Sequence, residues 1–305
     1  DRKDDGTGRG RNRYRSIKMD CVNGAIQPAR AGTSVHLDGR SRHGWAIRLC
    51  ALISIPARST SSRPNKGLGK VINDRLKKAS YKKKINIIDN YVLRNLQNIN
   101  LKKNLKVAWD IGNGAMGVVI DSFVNQLQNT ENIIINKEVD GNFPNHHPDP
   151  TVPKNMEQLI STVLKKNCDI GLAFDGDGDR LGVVDNKGKI VWADQYMLIL
   201  AKEISNLYKN PKIIMDVKCS KVFFDEVKKF NCDPIMHRTG HSPIKEKMKK
   251  INSPLSGEMS GHVCYGDDFY GYDDAIYVGL RLLRIISCEE KSISELISFF
   301  PKTFA

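Results

Sequence analysis

A loop of alternating carboxylates and glycines carries the strongest chemical signal in the sequence. Asp175, Asp177 and Asp179 are separated by single glycines, and Arg180 follows them directly. Three neighbouring carboxylates repel one another without a cation, and the glycines can take positive φ, so we expect the loop to curl and turn all three inward. Hard oxygen ligands of this kind suit Mg²⁺, which leaves room for a substrate phosphate. Arg180 adds a planar cation suited to phosphate.

Two other interpretations of this acidic loop stay open. Asp-Gly is the commonest signal of a short β-hairpin turn, although one turn needs one such pair and the sequence has two in succession. An EF-hand calcium loop would require glycine and glutamate where Arg180 and Asn186 stand. The magnesium interpretation therefore explains more of the residues.

Another polar segment, Thr239–Lys245 (TGHSPIK), is expected to open a helix. Ser242 would be its N-cap and Pro243 its first helical residue. A helix N-terminus beside His241 and Lys245 can receive a phosphate, although an ordinary cap would use the same residues.

A second glycine-hinged loop, Ser256–His262 (SGEMSGH), carries Glu258, Ser260 and His262 on alternate residues. This trio of a carboxylate, a hydroxyl and an imidazole can hydrogen-bond adjacent sugar hydroxyls. Lys218 follows a predicted strand, at the place where α/β sheets commonly bind ligands, and an ordinary surface lysine is an equal alternative.

The elements that must position these residues alternate between strands and helices, which predicts α/β layers. Apolar runs predict strands at Lys106–Asp110, Asn132–Asn136, Cys168–Phe174, Leu181–Asp185 and Lys212–Val217. Amphipathic runs predict helices at Ile85–Leu96, Val118–Leu127, Met156–Lys166, Gln195–Tyr208 and Ala275–Ile286. Asp273 and Asp274 precede the last of these helices. Their negative charges suit the helix dipole, and we expect no further role for them.

Two further motifs allow both a functional and a structural interpretation. Gly112–Gly117 (GNGAMG) follows a predicted strand and has the form of a dinucleotide-binding fingerprint. Glu138 is a weak candidate for the acidic residue that would bind the ribose. The favoured interpretation is a tight strand-to-helix turn. The polar loop Asp140–Asp149 contains His146 and His147, for which a hydrogen-bonded loop is favoured over a metal site.

Charge divides the chain into two parts. The net charge is +14, yet residues 1–84 carry 21 Lys and Arg against 6 Asp, and residues 85–305 carry 27 against 28 Asp and Glu. The basic segment lacks regular periodicity and is expected to be disordered or to be a degenerate domain. It can touch nucleic acid by charge alone, but no specific nucleic-acid module is recognisable.

Cysteine content and hydropathy bound the location. The seven cysteines show no Cys-x-x-Cys pair and no zinc-like spacing, so we expect reduced thiols and a cytoplasmic protein. No uninterrupted apolar stretch is long enough for a membrane helix, and no convincing targeting segment is present, so no membrane partner is expected.

In combination, these motifs resemble the α-D-phosphohexomutase family, specifically its phosphomannomutase/phosphoglucomutase branch. The matching segments occur in the family's order: Phe174–Arg180, Asp216–Ser220, Thr239–Lys245, Gly257–His262 and Tyr270–Ala275. The resemblance implies two consecutive three-layer α/β domains with mixed sheets, the family's second domain at residues 85–189 and its third at 190–305, after the basic segment 1–84.

The resemblance also implies roles for individual residues. Asp175, Asp177 and Asp179 would hold Mg²⁺, with Arg180 beside the transferred phosphoryl group. The implied general acid/base residues are Lys218 and His241, while the implied sugar-binding residues are Glu258, Ser260 and, nearby, His262. Met259 favours the mannose/glucose branch over the glucosamine branch.

The implied reaction moves a phosphoryl group between O1 and O6 of a hexose phosphate through a phosphoserine and a hexose 1,6-bisphosphate intermediate, which also serves as activator. The family's phosphoserine loop is not recognisable, and Ser61 and Ser62 are the nearest match. The fourth domain and most of the first are not matched. We therefore expect the full-length protein to be a phosphohexomutase, and this chain to be a truncated form that keeps the metal and sugar loops but has lost turnover. The alternative is a non-catalytic remnant that only binds Mg²⁺ and sugar phosphate. The sequence predicts no oligomeric state.

Overall fold

Five strands between residues 105 and 191 form a mixed sheet. The structure, a computed structural model, describes residues 19–22, 25–28 and 87–301. The sheet contains β3 (Leu105–Asp110), β4 (Thr130–Ile135), β5 (Ile170–Phe174), β6 (Leu181–Asp185) and β7 (Ile190–Val191), in the order β4-β3-β5-β6-β7. Strand β3 is parallel to β4 and β5, whereas β6 is antiparallel to both β5 and β7. The predicted mixed α/β architecture is confirmed.

Helices cover both faces of this first sheet. They are α1 (Ile87–Leu96), α2 (Ile120–Val124) and α3 (Glu157–Lys166), with 3₁₀ turns at Ala115–Val118 and Pro153–Met156. Because successive strand residues point to opposite faces, Ala108 packs with Leu159 and Val163 of α3, while its neighbours Val107 and Trp109 belong to the core on the other face.

A second, four-stranded mixed sheet follows. It contains β8 (Lys212–Asp216), β9 (Asp233–His237), β10 (Leu255–Gly257) and β11 (Val263–Tyr265), in the order β11-β10-β8-β9. The accompanying helices are α4 (Ala193–Leu207), α5 (Lys221–Lys229), α6 (His241–Ile251), α7 (Ala275–Cys288) and α8 (Ile293–Ser298). Helix α6 packs Ile244 and Met248 against Ile214 and Cys264, on the face opposite to the main core.

Helix α7 joins the two sheets through one continuous hydrophobic core and a buried ionic cluster. Gly279 of α7 allows close approach to Leu172 of β5, whose Cδ1 would lie 3.1 Å from an added Cβ. Arg281 is fully buried and donates to Glu203 of α4 at 2.6 Å and to Asp267 at 3.0 Å. Arg284 also donates to Glu203. The paired charges satisfy one another where either sign alone would be costly.

Several predicted boundaries differ from the structure. The helix predicted over Val118–Leu127 is only Ile120–Val124, preceded by a 3₁₀ turn, because the glycine-containing turn at 112–117 packs closely on neighbouring backbone. Within the basic segment, predicted to lack regular structure, the structure describes an antiparallel hairpin of β1 (Met19–Val22) and β2 (Ala25–Pro28). The rest of that segment, including Ser61 and Ser62, lies outside the described residues, and the proposed domain boundaries stay predictions.

Five of the seven cysteines can be assigned from the structure. Cys168, Cys219, Cys232 and Cys264 are free and buried, which confirms the expectation of thiols for these four. Cys288 is disulfide-bonded, so the expectation of a reduced thiol is wrong for that residue. Among the helices described, none combines the length and the apolar character needed to cross a membrane.

Candidate functional site

The acidic loop is folded around one of its own carboxylates. It joins antiparallel strands β5 and β6, in which Phe174 pairs with Leu181. Asp175 Oδ1 accepts hydrogen bonds from the backbone N–H groups of Gly178, Asp179 and Arg180, at 3.0, 3.0 and 3.1 Å. The hairpin interpretation is therefore right about the topology, but the connection is longer than a two-residue turn.

One glycine, rather than two, supplies the unusual backbone conformation of this loop. Gly178 has φ of 80°, whereas Gly176 does not have a positive φ. A Cβ on Gly178 would also lie 2.6 Å from Met116 Cγ. The expected curl is present, but only Gly178 supplies the positive φ that it needs.

The three carboxylates of the loop converge. One oxygen from each of Asp175, Asp177 and Asp179 lies within 4.8 Å of the others. Burial, together with the negative charge of Asp179, raises the pKa of Asp175 to about 7. This crowding of anionic oxygens is relieved by a cation, and an all-oxygen set suits Mg²⁺.

Arg180 is held by two carboxylates. Its Nε donates to Asp175 Oδ2 at 2.7 Å, and its Nη1 donates to Asp149 Oδ1 at 3.3 Å. Asp149 ends the polar loop 140–149, which is fixed near His146: His146 Nε2 lies 3.1 Å from Asp110 Oδ2, and Nδ1 lies 2.9 Å from the His147 carbonyl oxygen. The interpretation of the His146 segment as a hydrogen-bonded loop is confirmed. The contact of Asp149 with Arg180 was not predicted from the sequence.

The three residues predicted to bind sugar lie in the connection between β10 and β11, which we call the sugar loop (residues 258–262). Ser260 Oγ lies 2.8 Å from His262 Nδ1, and Glu258 Oε2 lies 3.2 Å from the same nitrogen. Glu258 Oε1 accepts from the backbone N–H of Gly240 at 2.6 Å. The three side chains predicted to act together are therefore in contact.

The acidic loop and the sugar loop meet at Asp179 and His262. His262 Nε2 lies 3.2 Å from Asp179 Oδ1, and the backbone N–H of Leu181 donates to the Gly261 carbonyl at 3.1 Å. Burial would lower the pKa of His262, but hydrogen bonds to Asp179 and Glu258 outweigh it and raise the pKa to about 10. Burial would raise the pKa of Asp179, but the hydrogen bond from His262 outweighs it, so that pKa is lowered.

The N-terminus of α6 adds His241 and Lys245 to the same region. The rings of His241 and His262 stack with centroids 5.6 Å apart. Asp273 joins them, because its Oδ1 accepts from Lys245 Nζ at 2.8 Å and its Oδ2 lies 3.3 Å from His241 Nδ1. Asp273 was expected to serve only the helix dipole, and this expectation is incomplete.

The predicted cap of α6 is wrong. The helix begins at His241 with Gly240 as N-cap, rather than with Ser242 as cap and Pro243 as first residue. Gly240 has φ of 126°, a conformation that other residues rarely adopt, so the chain turns into the helix two residues earlier than its side chains suggest. Asp274, by contrast, does cap α7, because its Oδ1 accepts from the Tyr277 backbone N–H at 3.1 Å.

Lys218 is the predicted site residue with the weakest link to the others. It is exposed beyond the end of β8 and makes no hydrogen bond or ion pair with any residue that the structure describes. Burial raises the pKa of nearby Asp216, and the charge of Lys218 partly opposes this rise. Asp216 itself accepts from Thr239 Oγ1 at 3.1 Å and from the Met259 backbone N–H at 3.3 Å, so it ties the sugar loop to the segment before α6.

The glycines of the 112–117 turn are explained by packing. A Cβ on Gly114 would lie 2.8 Å from the Gly176 carbonyl oxygen, and one on Gly117 would lie 2.1 Å from the Lys137 carbonyl oxygen. The backbone N–H of Ala115 also donates to Gly176 at 2.9 Å. These contacts support the interpretation as a tight turn, here one that supports the acidic loop.

Comparisons with known proteins agree on one family. The sequence model described as "Phosphoglucomutase/phosphomannomutase, alpha/beta/alpha domain II" matches residues 88–188, and the corresponding domain III model matches residues 192–304. A phosphomannomutase/phosphoglucomutase from Pseudomonas putida is 46% identical over 218 residues, which cover 72% of this chain and 47% of the relative.

More distant relatives give the same result. A phosphomannomutase from Methanocaldococcus jannaschii is 37% identical over 220 residues, covering 72% of this chain and 48% of its own. A crystal structure of a phosphoglucomutase/phosphomannomutase family protein from Burkholderia thailandensis aligns with a TM-score of 0.69 at 39% identity, covering 72% of this chain and 47% of that chain. The chain thus spans about half the length of the curated relatives it matches.

Proposed function

The chain belongs to the phosphoglucomutase/phosphomannomutase family, and from that membership we propose that it carries the metal-binding and sugar-binding parts of a phosphohexomutase active site. The reaction is phosphoryl transfer between O1 and O6 of glucose or mannose phosphate, through a phosphoserine and a hexose 1,6-bisphosphate. The observation that carries the proposal is the contact of 3.2 Å between Asp179 and His262, which brings the acidic loop and the sugar loop into one site.

The acidic loop would hold Mg²⁺ through Asp175, Asp177 and Asp179. The fit rests on the three convergent oxygens and on the raised pKa of Asp175, which reflects its burial and, secondly, the negative charge of Asp179. When bound, Mg²⁺ neutralises charge on the oxygens of the transferred phosphoryl group.

Arg180 would position the phosphoryl group. Its Nε and Nη1 are occupied by Asp175 and Asp149, which fix the plane of the guanidinium before substrate arrives. Phosphoryl transfer depends on positioning and on stabilisation of charge, so a cation that needs no reorganisation lowers the barrier.

Proton transfer at the reacting sugar oxygen is assigned to His241 and Lys218. His241 is half-exposed, its ring is stacked on His262, and its Nδ1 lies 3.3 Å from Asp273 Oδ2. Lys218 is free to approach a ligand because no described contact restrains it. A general acid or base must lie within hydrogen-bond reach of the reacting oxygen, and the assignment requires this of both residues.

Sugar recognition is assigned to Glu258 and Ser260, with His262 beside them. Glu258 is 3% exposed and is held by Gly240 and His262, so its carboxylate is fixed in place while retaining further lone pairs for sugar hydroxyls. Met259 favours glucose and mannose over glucosamine phosphates. A cytoplasmic location stays a prediction: the free thiols of Cys168 and Cys264 agree with it, whereas the disulfide-bonded Cys288 does not.

The test is turnover by the purified chain. Glucose 1-phosphate or mannose 1-phosphate is supplied with Mg²⁺ and a trace of the hexose 1,6-bisphosphate, and Asp177→Asn is the control. Product that disappears in the control supports the mutase and points to a phosphoserine in residues 1–84. Mg²⁺-dependent binding without product supports the alternative of a sugar-phosphate-binding chain. Absence of both product and binding overturns both functions.

A further inference from the structure

A second group of metal-ligating side chains lies beside the acidic loop. Asp179, His262 and Asp273 each place one ligand atom within 4.8 Å of the other two. We call these three residues the mixed cluster. The mixed cluster shares Asp179 with the acidic loop but adds an imidazole nitrogen and a carboxylate from the segment before α7.

His262 is already oriented as a metal-binding histidine. Its Nδ1 faces the Glu258 carboxylate at 3.2 Å and the Ser260 hydroxyl at 2.8 Å, while its Nε2 faces Asp179. Histidines that bind metals commonly donate their other ring N–H to a carboxylate, which fixes the ring and strengthens the ligand. Glu258, which is almost fully buried, supplies such a partner.

Asp273 has an oxygen that lacks a hydrogen bond. Its side chain is 9% exposed, and Oδ1 is paired with Lys245. Its Oδ2 is buried and accepts no hydrogen bond from any residue in the part of the chain that the structure describes. The nearest donor, His241 Nδ1 at 3.3 Å, is close enough for an ion pair but is not aligned as a hydrogen bond. A buried carboxylate oxygen in this state is costly, and a metal ion would satisfy it.

Local charge also favours a dication. The carboxylates of Glu258 and Asp273 and the three of the acidic loop outnumber the nearby cations Arg180 and Lys245. A metal ion on His262 Nε2 would leave the contacts of Nδ1 with Glu258 and Ser260 in place.

We propose that Asp179, His262 and Asp273 form a binding site for Zn²⁺ or a chemically similar transition-metal ion, adjacent to the magnesium site of the acidic loop and sharing Asp179 with it. Two carboxylates and one imidazole form a ligand set typical of Zn²⁺, with water completing the tetrahedron, whereas Mg²⁺ prefers oxygen ligands throughout. A metal ion there immobilises His262 beside the sugar loop. Zinc would therefore compete with the sugar phosphate. This competition rests on the proposed function, whereas the metal site itself does not depend on it.

The two metal sites have separate diagnostic residues, which makes a double comparison possible. Asp177 belongs only to the acidic loop, and Asp273 belongs only to the mixed cluster. The full chain, saturated with Mg²⁺, is titrated with ZnCl₂ in an isothermal titration calorimeter, in parallel with Asp273→Asn and Asp177→Asn. The exposed Asp233→Asn serves as a matched control, and circular dichroism verifies the fold of each variant.

We expect saturable zinc binding, with an affinity that Asp273→Asn lowers by about tenfold or more. Loss of a residue that only supports a metal ligand already lowers metal affinity about tenfold, and loss of the ligand itself should lower it at least as much. Asp177→Asn should weaken Mg²⁺ binding and leave zinc affinity within about threefold of the unmodified chain. Glu258→Gln should weaken zinc by about tenfold through His262. Unchanged zinc affinity in Asp273→Asn would overturn the site, as would loss of zinc affinity in Asp177→Asn. Neither result would affect the evidence for Mg²⁺ or hexose phosphate binding, which are measured separately.

Discussion

His262 Nε2 and Asp179 Oδ1 lie 3.2 Å apart, although one residue follows the second sheet's β10 and the other precedes the first sheet's β6. The contact is supported by backbone pairing between Leu181 and Gly261, at 3.1 Å, and by donation from the Ala275 N–H to the Gly178 carbonyl at 3.2 Å. The acidic loop and the sugar loop are therefore fixed relative to each other by main-chain contacts and by a side-chain pair.

Replacement of Asp177 by asparagine should weaken Mg²⁺ binding without loss of structure. The residue is exposed, so the substitution removes one charge and one ligand oxygen and leaves the buried Asp175 network intact. We expect the dissociation constant for Mg²⁺ to rise by about tenfold or more. Isothermal titration calorimetry checks this, with the exposed Asp233→Asn as control. Equal affinity in the variant and the unmodified chain would remove Asp177 from the ligand set.

Replacement of Asp149 by asparagine should loosen Arg180. The Asp149 contact at 3.3 Å is partly exposed, and the stronger contact with Asp175 stays in place, so the loss should be about 0.5–1 kcal/mol. Affinity for hexose 1-phosphate should fall by about two- to fivefold, with Mg²⁺ affinity unchanged. Calorimetric titration with each ligand separates the two effects. A parallel fall in Mg²⁺ affinity would mean that Asp149 acts through the acidic loop instead.

Replacement of Glu203 by glutamine should destabilise the fold. Glu203 is the carboxylate shared by Arg281 and Arg284, all of them buried, so its neutralisation leaves cationic charge without compensation. The free energy of unfolding should fall by about 3–5 kcal/mol. Urea unfolding followed by circular dichroism measures the change, and the exposed Glu246→Gln is the control. A loss no larger than that of the control would show that Asp267 alone satisfies Arg281.

Asp274 should make stability depend on pH. Burial raises its pKa from 3.8 to about 6 in the folded protein. Between these values the native state binds more protons than the unfolded chain, so stability is highest below about pH 4 for this group and falls as pH rises to 6. The cost above pH 6 is about 3 kcal/mol.

Asp274→Asn removes this titration while keeping the helix cap, since asparagine is also a good N-cap. Relative to the unmodified chain, the variant should gain stability as pH rises from 4 to 6 and hold that gain above it. Urea unfolding across this range checks the expectation, with Asp233→Asn as control. Parallel stability curves for the two proteins would show that Asp274 titrates at the same pH in both states.

The sequence predicted the features that depend on local patterns. The spacing of Asp175, Asp177 and Asp179 identifies the acidic loop because its ligands come from one short segment, and apolar periodicity located β6 at its observed bounds, Leu181–Asp185. The contacts of Asp149 with Arg180 and of Asp273 with Lys245 were not predictable, because each joins residues far apart in sequence. The start of α6 was misplaced because the φ of Gly240 is set by its contact with Glu258, which is a tertiary contact.

The most direct test is calorimetric titration of the chain with glucose 1-phosphate and mannose 1-phosphate, with and without Mg²⁺, for the unmodified protein, Asp177→Asn and Glu258→Gln. If the acidic loop and the sugar loop form one site, binding should require Mg²⁺ and should weaken in both variants. Binding that is indifferent to Mg²⁺ and to both substitutions, or no binding at all, would contradict the assignment of this site to a hexose phosphate.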